Sequence, residues 1–365
     1  MNQHRRRVRI RRVCAHVTAG VIAALCAAQA ATAAAIPQGR FAGTTDPHTT
    51  NANDVTFRVV GQTIRDRIIY WRAACQSGST FTYGTETPRI PVAGGAWHSG
   101  GSYGQAVPPN MSAHITVVED RAHFTSPITA AGVWAVQVTV SRGAQQVDTC
   151  ATGPVSWAAG NLGVAGHPSA LIVPAGEKVG GAGYAQWETR AWQWDDEHLH
   201  FFPGVDSPAA SRCVTAGERG PVWFLHGDTD QRWFDTRSCR VPAGRYLFVD
   251  TPSNECSTVE QPPFRASSTA GLKQCAKKFR ARSSLALDGK VISPSGIQLA
   301  TGVFSFRMPA TDNWLGVPGS TSGRAAVSGQ GVMLRPLAPG RHSLVRVIEY
   351  PGHPVAIDVY NLTVG

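Results

Sequence analysis

Apolar and polar side chains alternate one for one in short stretches along most of this chain, and glycines and prolines stand between the stretches. Val55-Thr56-Phe57-Arg58-Val59 is one such run; residues 64–71 alternate less strictly, and residues 113–118, 133–140 and 154–158 follow. Period-two alternation marks a half-buried β-strand, because successive side chains point to opposite faces. Composition closes the other routes. The chain has 365 residues with 38 Gly and 24 Pro, against 5 Lys and 9 Glu, so the best helix formers are scarce and the turn formers abundant. That excludes a helical bundle or coiled coil. A hydrophobic content of 42% excludes a disordered chain. The pattern predicts a mainly β protein built of antiparallel β-sandwich or jelly-roll-like domains.

The formal net charge of +10 invites a nucleic-acid reading, which its distribution removes. Arg5, Arg6, Arg7, Arg9, Arg11 and Arg12 precede an apolar, Ala-rich run, which ends in Ala33-Ala34-Ala35 before Ile36-Pro37. A basic head, an apolar middle and a small-residue cleavage site make a secretory signal peptide over residues 1–35. Its loss takes six of the 34 basic residues, leaving 28 against 24 acids, or +4. The one remaining cluster, Lys277-Lys278-Phe279-Arg280-Ala281-Arg282, fits the last turn of a helix, where the dipole favours cations. The expectation is a secreted, extracellular protein with no nucleic-acid partner and no transmembrane anchor after cleavage.

Two of the eight cysteines, Cys14 and Cys26, leave with that segment. Cys75, Cys150, Cys213, Cys239, Cys256 and Cys275 remain. An even number in an exported chain points to disulfides. Of fifteen possible pairings, the sequential one is simplest: Cys75 with Cys150, Cys213 with Cys239, Cys256 with Cys275. No C-x-x-C pair exists to suggest structural zinc.

Residues 36–160 read as one β domain and 161–365 as a second, β-rich domain with two short helices. Tyr184, Trp187, Ala191, Trp194 and His198 recur at helical spacing. A second helix fits residues 269–280, with Ser267 or Ser268 as N-cap and Leu272, Cys275 and Phe279 on one face. Residues 221–225, 245–249, 284–287, 303–307, 344–349 and 355–364 are strand-like.

The first unit carries Gly39-Arg40-Phe41-Ala42-Gly43-Thr44-Thr45, Gly132-Val133-Trp134-Ala135 and Cys150-Ala151-Thr152-Gly153-Pro154-Val155-Ser156-Trp157. It resembles a small β domain of secreted bacterial proteins. The second carries Trp192-Gln193-Trp194, Gly220-Pro221-Val222-Trp223-Phe224-Leu225, Cys239-Arg240-Val241-Pro242-Ala243-Gly244 and Asn254-Glu255-Cys256-Ser257. It resembles a family of uncharacterised secreted bacterial β-rich proteins, from which it departs at residues 195–202. The resemblance implies export and a two-part architecture, and no chemistry.

Candidate sites are few. Asp195, Asp196, His198 and His200 form the densest set of metal-capable side chains. On a helix, Asp195 with His198, or Asp196 with His200, would share a face and could hold a divalent cation; read structurally, the set is the polar end of the helix. No metal or other cofactor is expected. Glu255 follows a strand and adjoins Cys256, which suits a general acid or base, with Asp206, Asp228 and Asp250 as possible partners. Its structural reading, with Asn254, is a turn beside a bridge. Trp192 lies off the helical stripe and could offer a stacking platform to a sugar, whereas Trp187 and Trp194 belong to a core. Trp194, Asn254, His226 and His342 complete the candidate ligand contacts. No G-x-S-x-G, Walker loop, dinucleotide fingerprint or H-E-x-x-H is present. Three functions fit: binding of an extracellular ligand, a glycan among the candidates; an extracellular hydrolase using Glu255 and a nearby Asp such as Asp206; or a purely structural envelope protein.

Overall fold

In a computed structural model, the described residues are 36–49, 51, 53–107, 110–161, 169–198, 220–225, 234–278, 281–293, 296–311, 313 and 315–365. The predicted signal segment therefore lies outside them, as do His200, Asp206, Cys213, His226, Asp228 and Phe279.

Ten strands come first: β1 (Gly39–Asp46), β2 (Val55–Val60), β3 (Thr63–Cys75), β4 (Thr80–Pro91), β5 (Ala96–His98), β6 (Gly101–Val107), β7 (Met111–Ser126), β8 (Thr129–Arg142), β9 (Gln145–Ala151) and β10 (Val155–Asn161). All their pairings are antiparallel, and β1, β2, β3, β9, β8 and β10 close into a ring because β8 pairs with both β9 and β10. Phe41, Phe57, Trp71, Trp97, Trp134 and Trp157 fill its core. The irregular alternation of residues 64–71 has a local cause. A bulge at Asp66, whose φ is +51°, lets two successive residues, Arg65 and Asp66, face out. It returns Arg67, Ile69, Trp71 and Ala73 to the interior.

After α1 (Tyr184–His198) come β11 (Val222–Leu225), β12 (Phe234–Val241), β13 (Tyr246–Ser257), α2 (Thr269–Ala276), β14 (Arg282–Leu287), β15 (Lys290–Ser293), β16 (Ile297–Ala300), β17 (Phe304–Arg307), β18 (Ser322–Leu334), β19 (Gly340–Glu349) and β20 (Val355–Val364). They build a second sheet, β11-β13-β18-β16 with β17 also on β18, and a third, β12-β20-β19-β14-β15. Two pairings, β11 with β13 and β12 with β20, are parallel. The two sheets bury Trp223, Leu225, Leu247, Val249 and Val332 against Leu285, Leu344, Tyr360 and Leu362. Each fully buried side chain of this size contributes about 1.5–3 kcal/mol. The architecture is mainly β, as the alternation predicts.

Both predicted helices form. Gly183 caps α1, its N–H donating to the Gln186 side chain at 3.0 Å, half of a capping box. Ser268 caps α2, accepting from Gly271 N–H at 3.0 Å. Helix α2 ends at Ala276 with Lys277 as C-cap, short of the predicted residue 280. Thus Lys277 and Lys278 follow the helix instead of forming its last turn. Cys75–Cys150 and Cys256–Cys275 are disulfides, as the sequential scheme expects. Cys239 is disulfide-bonded too.

The third sheet's outer face changes character along its length. At one end Val345, Val347, Val355 and Ile357 pack against Ala42 of β1 and Ile128 of the turn between β7 and β8. Gly160 is required there: a Cβ on it would sit 2.3 Å from Cγ1 of Val347. Valine is stiff at χ1, so Gly160→Ala is expected to destabilise by about 1–3 kcal/mol through overpacking. A shift in the urea midpoint reads this out, and an unchanged midpoint would mean the seam has slack.

Candidate functional site

The other end of that face is polar. Register aligns its side chains in two rungs across three strands. Arg240 of β12 is level with Thr363 of β20, which is level with Arg341 of β19; Ser238, Asn361 and Ser343 form the next rung. These six residues, with Asp288 and His342, line a groove of about 980 Å³. Arg240 and Arg341 are exposed, and among the described residues neither has an ion-pair partner. The rim is fixed by chemistry. His342 bonds Asp288 through Nδ1 at 2.7 Å and the Ala338 carbonyl through Nε2 at 2.9 Å, while Ser343 N–H donates to Asp288 at 2.9 Å. The Asp288 hydrogen bond raises the His342 pKa above its usual value. Burial opposes ionisation of Asp288, but the bonds from His342 and Ser343 outweigh it and lower its pKa. Each partner thus favours the charged form of the other, and the bonded pair orients the groove's edge.

A second polar centre lies between α1 and β13. Tyr184, Trp187, Ala191 and Trp194 face the core, as their spacing predicts. The neighbouring stripe, Glu188, Trp192 and Asp196, is drawn inside with them, since Glu188 and Asp196 are both 0% exposed. Trp192 Nε1 donates to Glu188 at 3.1 Å and to Ser253 Oγ at 3.0 Å. A bulge between Asp250 and Ser253 puts Ser253 on the face towards α1. Glu255, 3% exposed, faces the same helix, and neither of its carboxyl oxygens has a hydrogen-bond partner. Burial pushes the Glu188 carboxyl well above the usual range, reinforced by Asp250. Burial does the same to Glu255, reinforced by Asp196, Glu260 and Asp195. Glu260 is raised by burial to about 7. Protonating an ordinary carboxyl at pH 7 costs about 3–4 kcal/mol. Burying its unpaired anion costs several kcal/mol before any repulsion between neighbours, so burial favours the neutral acid. Among the described residues, the one set of three His, Cys, Asp or Glu ligand atoms within 4.8 Å of one another is Cys75, Asp148 and Cys150, and its two sulfurs are bonded to each other.

These placements revise several expectations. Asp195 and Asp196 do not form a solvated helix end: Asp196 is wholly buried and Asp195 partly, because α1 lies on the second sheet along more than its apolar stripe. The His198 side chain and all of His200 lie outside the described residues, so the histidine half of the expected metal set is not placed. Trp192 is half-buried and hydrogen-bonded rather than offered as a platform, and Trp194, 6% exposed, is core. Asn254 donates to the Glu255 carbonyl at 3.1 Å. Glu255 and His342 do not converge, since they belong to different sheets. Glu188, Asp250 and Glu260 carry no motif that singles them out as a group. The i, i+4, i+8 run of Glu188, Trp192 and Asp196 beside the apolar stripe is the one available signal.

A second cavity, of about 630 Å³, lies by Pro252, Lys277, Gln298, Ser328 and Gln330, and Glu255 lines neither cavity. No described helix is long and apolar enough to cross a membrane. Comparison with known proteins finds no family model that matches the chain and no curated protein that matches it.

Proposed function

We propose that this is an exported, disulfide-stapled binding protein, and that it holds an acidic polysaccharide on the polar outer face of the β12-β20-β19 strands. The observation that carries the reading is the pair of aligned rungs. Ser238, Asn361 and Ser343 offer hydroxyl and amide groups to sugar hydroxyls, and Arg240 and Arg341 flank Thr363 with two exposed guanidinium forks. Arginine matches carboxylate, sulfate or phosphate through two parallel N–H donors. Export is supported by the N-terminal sequence pattern and by the disulfides.

The test is depletion from solution by insoluble neutral and acidic polysaccharides. Acidic polymers should deplete the protein, with affinity falling as salt rises. Arg240→Ala and Arg341→Ala should each weaken binding by about tenfold, the size of one charge-assisted contact. Depletion that is equal for neutral polymers, or unchanged in the double variant, would sink the proposal. The hydrolase alternative draws support from the raised carboxyl of Glu255, but that group opens into neither groove. It predicts release of reducing ends that disappears in Glu255→Gln, and the same assay measures this.

A further inference from the structure

We propose that α1 is a pH-sensitive clasp: protons held by the carboxyl groups of Glu188 and Glu255 keep the helix seated on the second sheet, and losing them unseats it. The geometry carries this. Two carboxyls on opposite partners, one from the helix and one from the strand, are at 0% and 3% exposure in the same interface. Oε2 of Glu188 and both oxygens of Glu255 have no hydrogen-bond partner.

The charged groups facing them are mostly acids. Glu188 is faced by Asp250 of β13 and Asp195 of its own helix. Glu255 is faced by Asp196 and Asp195 of α1 and by Glu260 after the strand. From β19 and its end come Arg346, whose guanidinium bonds the Asp250 carbonyl, and Tyr350, whose hydroxyl lies 3.4 Å from the Ser253 carbonyl. Arg346 also bonds Asp358 at 2.8 Å, so its charge is paired with a carboxylate of the third sheet.

The sign follows from which form is buried. In the unfolded or undocked chain both carboxyls ionise in the ordinary range; in the docked state they ionise only at higher pH. Docking is therefore strongest below the ordinary carboxylate range. It weakens as pH rises through the raised values, at a rate set by the protons released. The consequence is a helix that grips in acidic surroundings and loosens in neutral to alkaline ones. Trp187, Trp192 and Trp194 lie on it and report its position.

The test follows tryptophan emission, with amide exchange of residues 184–198 corrected for its intrinsic pH dependence, from about pH 5 to about pH 9. In the purified protein, emission should shift to longer wavelength and protection should fall by at least about tenfold as pH rises, up to one decade per pH unit for each proton released. Glutamine imitates the neutral acid in shape and charge. Glu188→Gln and Glu255→Gln should therefore each keep the helix protected to higher pH, and the double variant should lose the transition. Glu197→Gln, at an exposed site on the same helix, should leave it unchanged. No transition in the wild-type protein would overturn the clasp, as would an identical transition in both single variants. It would also fall if calcium chloride present throughout the pH series abolished the transition, because a cation would then be the neutralising group.

Discussion

Asp120→Ala is expected to cost about 3–5 kcal/mol of stability, the penalty for removing one partner of a buried ion pair. Asp120 and Arg67 are both at 0% side-chain exposure. The pair is bidentate, with Arg67 Nη1 and Nη2 donating to the two carboxylate oxygens at 2.8 and 2.7 Å. Ser99 donates to the same carboxylate, and the guanidinium lies 5.2 Å from the centre of the Trp134 ring. Without Asp120, a full positive charge remains buried beside Trp134 with only the Thr87 and Ser99 hydroxyls as partners, and its Nε already has no partner. The loss equals a large part of a domain's usual 5–15 kcal/mol. Changing both residues, Arg67→Met with Asp120→Leu, should restore most of it, because the cost lies in the orphaned charge and not in the missing bond. The surface pair of Arg121 with Glu119 is the control. Arg121 is 76% exposed, so Arg121→Ala should cost less than about 1 kcal/mol. Urea midpoints for the three variants decide the matter. An Asp120→Ala protein within about 1 kcal/mol of wild type would mean that water reaches Arg67.

The same region shows what the sequence can and cannot carry. Alternation along residues 64–71 marks a strand, but its irregularity at Asp66 does not announce a bulge. Only the bulge makes Arg67, rather than Asp66, an interior residue. Its partner is 53 positions away, and pairing over such a span leaves no local trace. Helix α1 repeats the lesson. Tyr184, Trp187, Ala191 and Trp194 are legible because apolar side chains at helical spacing have one physical explanation. Glu188 and Asp196 read as solvent-facing by default, since carboxylates are rarely buried. Glu255 stands out in the sequence for its neighbour Cys256, which anchors β13 to α2 and has no part in the acidity of the carboxyl beside it. The groove is hidden for another reason. Arg240, Arg341 and Thr363 each sit in an alternating strand and look like ordinary outward residues. Their alignment depends on the parallel pairing of β12 with β20, and a non-local register of that kind is invisible in one chain.

The disulfides differ in what they close, and so in what their loss should cost. Cys75–Cys150 spans 75 positions and Cys256–Cys275 spans 19. On the chain-entropy account, a link across the longer loop restricts the unfolded chain more: about 4.5 kcal/mol for the first and about 3 kcal/mol for the second. The first also sits at the weakest seam of its ring of strands. Strands β3 and β9 pair at two positions, Ala74 with Ala151 and Cys75 with Cys150, whereas the other pairings in the ring are longer. Cys75→Ala with Cys150→Ala should therefore lower the urea midpoint more than Cys256→Ala with Cys275→Ala. It should also speed amide exchange along β9 first, while α2 keeps its protection. The second double variant should do the reverse, loosening α2 from β13 and sparing the ring. If the short-loop variant lost more stability, the unfolded-state account would fail. Packing of Cys256 against Leu272 and Ala326 would then outweigh loop closure, because a bridge that acts through the native core gains nothing from the length of chain it spans.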